Sequence, residues 1–137
     1  MAALTQDVDR KEKEGKLIAS PVAAATEIFQ GALTMHDSNG LIANATPSAG
    51  DSFAGVAYER VDNSAGVASE KSIRNEKHGS FLMTGAGFTQ ADVGLEVRAS
   101  DNDTVQIAAL TNSQVVGRIV EFVSATQVRV KIDGYAV

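Results

Sequence analysis

The side chains best suited to acid–base or metal chemistry in this chain are its two histidines, His36 and His78. A histidine acts as a catalyst or a metal ligand when a carboxylate or a second ligand lies within reach. Neither has another His, Cys or carboxylate at the spacing typical of metal ligands, so we interpret both as structural or surface residues. The chain also has no cysteine, which excludes disulfides, thiolate metal sites and cysteine nucleophiles.

A candidate calcium loop begins at residues 101–103, Asp-Asn-Asp. The calcium loop of an EF-hand requires a glycine at its sixth position and a glutamate at its twelfth. Those two positions hold Gln106 and Asn112. We therefore predict a polar turn at this place instead of a metal site.

Two further patterns could carry catalysis or cofactor binding, and both are incomplete. Residues 85–87, Gly-Ala-Gly, start like a dinucleotide-binding fingerprint, but Gln90 stands where the third glycine belongs. Glu59 and Glu121 would form a catalytic carboxylate pair only if the fold brought them together, and solvated strand faces are the default interpretation. We predict that the protein is not an enzyme and has no catalytic residue, no cofactor and no metal ion.

The elements that position these residues are predicted to be short β-strands. From residue 17 onward, short runs rich in Val, Ile, Ala and Phe are separated by Gly, Asn, Asp and Ser, with turns every 8 to 12 residues or so. We predict strands at 17–25, 26–29, 32–36, 41–43, 53–61, 67–77, 81–83, 95–99, 105–109, 115–123 and 127–133. One helical turn is predicted at residues 89–92, where Thr89 would be the N-cap. The pattern indicates an all-β barrel or sandwich.

Three of these strands and one turn carry a more specific prediction. Asp37-Ser38-Asn39-Gly40 predicts a tight hairpin, because Asn-Gly supplies the positive φ values that such a turn needs. Pro21 predicts an edge position for the first strand, because proline cannot donate to a strand ladder. The polar segment 67–77 is also predicted to be an edge strand, whereas 81–83 is predicted to be buried.

Composition limits the classes of function. At 137 residues with 44% hydrophobic content and 5% aromatic content, the chain suits one domain with a mainly aliphatic core. Its net charge of −5 argues against nucleic-acid binding, because phosphate repels an acidic protein. No stretch approaches the roughly 18 apolar residues of a membrane span. Charged residues also occupy the place of a signal peptide's apolar region, so we expect synthesis in the cytoplasm.

The first sixteen residues differ sharply from the rest. They contain four acidic and four basic side chains and few large apolar ones. We divide the chain into a flexible N-terminal arm, residues 1–16, and a single β-rich body, residues 17–137. We expect the arm to be disordered alone and to become ordered on a partner, because a charged segment this short is a marginal helix in water. The alternative is a solvated terminus with no role.

Seven segments carry a family resemblance: ALTQD (3–7), GKLI (15–18), PVAAATEIFQGAL (21–33), FAGVA (53–57), VDNSAG (61–66), TQADVG (89–94) and VGRIV (116–120). In this order they resemble the capsid cement proteins of tailed bacteriophages, also called head decoration proteins. The resemblance extends over most of the chain. Residues 67–78 depart from it, because they are more highly charged than the family pattern.

The resemblance implies a β-barrel or β-tulip body that forms a homotrimer on the outside of the phage head. Such trimers sit at three-fold sites, and an N-terminal arm reaches across a capsomer boundary. The implied partners are the major capsid protein and further copies of this chain, without nucleic acid or membrane, and the implied location is the outer capsid surface of the virion. The residues expected to contact the capsid are Leu4, Thr5, Gln6, Asp7, Val8, Asp9, Arg10, Lys11, Glu12, Lys13, Glu14, Lys16 and Leu17. Leu4, Val8 and Leu17 would be their apolar anchors.

The alternative function is a β-domain displayed on a virion that binds a receptor or a glycan. Sugar-binding sites usually expose Trp or Tyr, and this chain has only Tyr58 and Tyr135. An exposed cluster that includes Tyr58 would favour this alternative. A small nucleic-acid-binding barrel is a third class, opposed by the acidic charge and the lack of a basic and aromatic face.

Overall fold

We describe the protein from a computed structural model, which covers residues 5–7, 15–46, 52–107 and 114–132. The fold is mainly β and barrel-like, as predicted. The described residues form twelve strands: β1 Leu17–Pro21, β2 Thr26–Ile28, β3 Leu33–His36, β4 Ile42–Asn44, β5 Ser52–Ala57, β6 Val61–Asn63, β7 Ser72–Glu76, β8 Gly79–Thr84, β9 Glu96–Ala99, β10 Val105–Gln106, β11 Val115–Ser124 and β12 Gln127–Ile132. The predicted helical turn is a 3-10 helix, Gln90–Asp92, and the Asp92 side chain accepts a hydrogen bond from the Thr89 backbone N–H.

The strands form two five-stranded antiparallel sheets and one two-stranded ribbon. The first sheet has the order β1-β7-β5-β3-β4, and the second has the order β10-β9-β11-β12-β8. The ribbon pairs β2 with β6. β1 is an edge strand of the first sheet, which confirms the prediction made from Pro21.

Two apolar cores hold these layers together. The larger core packs buried residues of the second sheet against the first sheet; its fully buried members include Val97, Val116, Ile119, Val128, Val130 and Ile132. The smaller core lies beneath the ribbon and joins it to the first sheet through Val22, Ile28, Ala32, Ile42, Ala54, Ala57 and Ile73, with Val61 packed against them. The order of layers is therefore ribbon, first sheet, second sheet.

The predicted hairpin at residues 37–40 is present, since β3 and β4 pair as antiparallel neighbours on either side of it. Its turn differs from the predicted one. Gly40 has a positive φ of 76°, but Asn39 does not. Instead, the carboxylate of Asp37 accepts hydrogen bonds from the backbone N–H groups of Asn39 and Leu41, at 2.8 and 3.0 Å. An Asp side chain therefore closes the turn where we expected a second positive φ.

The prediction for residues 67–77 is wrong in two respects. Only Ser72–Glu76 is a strand, β7, and β7 lies inside the first sheet between β1 and β5. β7 pairs with a strand on each side, its Ile73 is fully buried, and the amide oxygen of the buried Asn75 accepts a hydrogen bond from the Thr34 hydroxyl at 2.9 Å. The predicted strand 53–61 is also divided: β5 ends at Ala57, and Val61 begins the ribbon strand β6.

The hairpin formed by β11 and β12 confirms the clearest alternation in the sequence. Val128, Val130 and Ile132 are fully buried, whereas Arg129 and Lys131 lie on the opposite face. The predicted buried strand at 81–83 is β8, which is an edge strand. Only its Met83 is buried, and 49% of Leu82 is exposed.

Gly55 lies where the backbones of β5 and β7 approach closely in the first sheet. Its φ is +137°, a conformation that side-chain-bearing residues rarely adopt. A Cβ at this position would lie 2.4 Å from the carbonyl oxygen of Glu76 on β7. Both the backbone conformation and the spacing of β5 and β7 therefore require glycine here.

Candidate protein-binding surface

The outer face of the second sheet gathers every cationic side chain that the structure describes between residues 79 and 132. Strand alternation places these side chains on one face, because the residues that alternate with them are buried in the larger core. We call this surface the basic face; its charged residues are Arg98, Arg118, Arg129, Lys131, Glu96 and Glu121. Four cations and two carboxylates give it a positive balance in a chain whose net charge is −5.

Ion pairs neutralise only part of the basic face. Arg129 pairs with Glu121 at 3.3 Å, and Arg98 pairs with Glu96 at 3.5 Å. Arg118 lies directly opposite Lys131 on β12 and opposite Glu96 on β9. Arg118 donates a hydrogen bond to the backbone oxygen of Gly94 at 3.1 Å. Lys131 has no carboxylate partner among the described residues, so two like charges face each other across neighbouring strands.

Three aliphatic side chains lie among these charges. Leu82 stands opposite Arg129 on β8 and is 49% exposed. Val120 and Val123, on β11, are 46% and 45% exposed. Each valine lies at a register shift of the β11–β12 ladder, between Ile119 and Glu121 and between Phe122 and Ser124. A β-bulge changes the direction in which a side chain points. The two bulges direct the side chains of Val120 and Val123 toward solvent.

A second exposed cluster lies at the end of β5, on the first sheet. The guanidinium of Arg74 stacks on the Tyr58 ring at 5.0 Å and makes two hydrogen bonds to the Glu59 carboxylate, at 3.0 and 3.1 Å. These hydrogen bonds hold the pKa of Glu59 below its usual value. Tyr58 is 45% exposed and borders a cavity of about 310 Å³ that Lys16, Leu17 and Glu76 also line.

A similar pair lies on the ribbon side of the molecule. The guanidinium of Arg60 stands 5.3 Å from the centre of the Phe29 ring and pairs with Glu27. Phe29 is 55% exposed. The exposed aromatic side chains of Phe29 and Tyr58 are thus each covered on one face by an arginine.

The calcium-like turn at residues 101–103 and the carboxylates of Glu59 and Glu121 make hydrogen bonds or ion pairs within the fold. The Asp101 carboxylate accepts hydrogen bonds from the backbone N–H groups of Asp103 and Thr104, at 2.7 and 2.8 Å, and so closes the predicted polar turn. Those hydrogen bonds lower the pKa of Asp101. Glu59 and Glu121 bond to different arginines on different sheets. Within the described ranges, no group of three or more His, Asp or Glu side chains is arranged to hold a metal ion.

His36 ends β3 in a half-buried position near Lys77. Burial, and then the positive charge of Lys77, lowers the pKa of His36 from its ordinary value of 6.5. The Lys77 ammonium donates a hydrogen bond to the backbone oxygen of Ala54 at 2.5 Å, and burial lowers its pKa as well. His78 is exposed. The surroundings of His36 thus disfavour its protonated form.

This arrangement predicts a loss of stability in mild acid. The folded protein binds a proton at His36 less readily than the unfolded chain does. The contribution of His36 to the free energy of unfolding is therefore present above its unfolded pKa of 6.5 and is lost as the pH falls through the lower pKa of the folded state. Urea denaturation at about pH 7.5 and about pH 5.5 measures the loss. In His36→Gln the loss of stability between the two pH values should be smaller than in wild type. In the matched variant His78→Gln it should be unchanged. A pH dependence in His36→Gln equal to that of wild type would contradict the prediction.

The predicted capsid-contacting arm is described only in part. Leu4 and residues 8–14 lie outside the described residues. Thr5, Gln6, Asp7 and Lys16 are exposed. Leu17 is half-buried and begins β1 opposite Glu76. The assignment of the arm to capsid contact remains a prediction.

The basic face was not predicted from the sequence. The alternation of β12 does place Arg129 and Lys131 together on the side away from the core. No sequence signal, however, revealed that Arg118 lies opposite Lys131, because that depends on the register between strands. The bulges that expose Val120 and Val123 have no local signature either.

No protein-family model matches the chain, and no curated protein or solved structure matches it. Over the parts of the chain that the structure describes, no helix is long and apolar enough to cross a membrane.

Proposed function

We propose that this protein is a capsid cement protein of a tailed bacteriophage. It binds the outside of the head as a homotrimer at three-fold sites and stabilises the shell by bridging capsomers with its N-terminal arm. The observation that carries the proposal is the basic face, a broad sheet surface of cations and aliphatic side chains. Such a surface suits another protein better than a small molecule, which binds in a concave pocket. The class of protein is proposed from the seven sequence segments that resemble capsid cement proteins in the same order along the chain.

The proposed mechanism adds contacts where a shell is weakest. Internal pressure strains a DNA-filled head, and the junctions between capsomers are its weak points. A trimer at each junction adds buried area, and each arm that binds raises the effective concentration of the next contact. Ordering an arm costs free energy, so the body must supply part of the anchoring. On this proposal the protein is made in the host cytoplasm and resides on the outer surface of the virion.

Two measurements test this function. Light scattering should give a trimer of about 43 kDa, three times the 14.3 kDa chain. The purified protein should also cosediment with expanded heads assembled from the major capsid protein encoded in the same phage genome, and binding should saturate. A chain that leaves such heads unbound at micromolar concentration would overturn the proposal.

A second candidate is the virion-displayed module that binds a receptor or glycan. The exposed cluster of Tyr58, Glu59 and Arg74 favours it, because a partly exposed aromatic ring beside fixed polar groups is typical of sugar recognition. Binding to an immobilised glycan that Tyr58→Ala removes, together with no binding to heads, would select this candidate.

A further inference from the structure

We propose that the basic face is the surface through which the body contacts the shell, and that the shell presents carboxylates around aliphatic side chains there. This inference rests on the proposed function. It adds the docking surface of the body and the chemistry of the partner. The contact is separate from the arm, since the two involve different residues.

The charge arrangement points to an anionic partner. Like charges directly opposite on neighbouring strands destabilise a sheet. Arg118 and Lys131 occupy such a pair. Glu96 lies opposite Arg118 on β9, whereas Lys131 lies between Arg118 and Ser80 and faces no described carboxylate. A partner carboxylate placed between the two would remove this repulsion and form charge-assisted hydrogen bonds with both side chains. The free protein therefore holds an unfavourable arrangement that an acidic partner relieves.

The aliphatic side chains point to a protein rather than a nucleic acid. Leu82, Val120 and Val123 each leave close to half of their surface exposed on the basic face. A phosphate backbone offers no apolar surface to cover them, whereas a protein surface does. The chain's net charge of −5 also repels a polyanion at long range. Local attraction to a few carboxylates avoids that penalty.

Electrostatic attraction of this kind sets association rate and specificity. Because both Arg118 and Lys131 are exposed, salt should screen their attraction to the shell, and the Debye length is about 8 Å at physiological ionic strength. Binding to heads should therefore weaken as salt increases. Replacing Lys131 should flatten that dependence.

The test compares two matched double variants of the full chain in cosedimentation with heads. The first, Lys131→Glu with Val120→Ser, changes the basic face. The control, Lys71→Glu with Val67→Ser, makes the same changes at exposed residues of the loop between β6 and β7. We expect the first variant to bind heads at least about tenfold more weakly and the control to bind within about twofold of wild type. Circular dichroism establishes that both are folded.

Each other result overturns the inference in a distinguishable way. If wild type and both variants bind heads equally, the basic face does not contact the shell, although the proposed function stands. If wild type does not bind heads, the proposed function fails and the inference with it. If the first variant changes the mass in solution, the face joins copies of this chain. If random-sequence duplex DNA binds wild type at the same salt and not this variant, the face recognises phosphate.

Discussion

A chain that lacks residues 2–16 is expected to lose most of its binding to phage heads while its body stays folded. A tether keeps a second contact at an effective concentration in the millimolar range, so removing the arm should weaken binding by about 10²- to 10⁴-fold. The remaining binding should come from the body. Cosedimentation of both chains with heads measures the ratio.

The body should tolerate this deletion for a structural reason. β1 begins at Leu17 and pairs with β7 inside the body. The carbonyl of Lys16 accepts a hydrogen bond from the Lys77 N–H at 2.7 Å, and Met1 would supply an equivalent carbonyl in the shortened chain. A full-length control with residues 4–14 in scrambled order keeps length and charge and tests whether the arm's order matters. Equal binding by the truncated chain would contradict the arm model.

The Gly55→Ala change is expected to produce the largest loss of stability. Alanine would have to adopt a φ of +137° and to place its Cβ 2.4 Å from the Glu76 carbonyl oxygen. Backbone strain and overpacking each cost roughly 1–3 kcal/mol. We therefore expect a loss of about 3 kcal/mol or more, a large part of the 5–15 kcal/mol that stabilises a typical domain.

A second glycine separates the two causes. Gly40 also has a positive φ, +76°, but a Cβ there would meet nothing within 4 Å. Gly40→Ala should cost only the strain of the left-handed conformation, about 1–2 kcal/mol. Urea denaturation of both variants gives the difference. If Gly55→Ala were no more destabilising than Gly40→Ala, the close approach of β5 and β7 would not limit the side chain at position 55.

Local patterns predicted the fold wherever neighbouring residues decide the structure. β12 follows from the strict alternation of residues 128–132. The β3–β4 hairpin was predicted at the correct place from residues 37–40, although the Asp37 carboxylate closes its turn where a positive φ at Asn39 was expected. The position of β7 did not follow, because it is set by pairing with β1 and β5 and by contacts distant in the sequence, such as the hydrogen bond between the side chains of Asn75 and Thr34, forty-one residues apart. Without knowledge of those contacts, the polar composition of the segment indicates an edge position in a sheet.

The candidate surface was predictable to a smaller extent. Alternation fixes which residues of one strand share a face, but it does not say which residues of the next strand stand opposite. The Arg118–Lys131 pair therefore required the register of the sheet. The exposed Val120 would be assigned to the core by composition alone, and only the register shift beside it explains its exposure.

The order of the three layers also makes two opposite faces of the molecule different. The ribbon and the second sheet lie on opposite sides of the first sheet. A copy attached through the second sheet would therefore hold its ribbon outermost, with the exposed turn residues Ser64 and Ala65 facing away from the particle. Peptides inserted between these two residues would be displayed to the surroundings at every binding site, without a change to the attached surface.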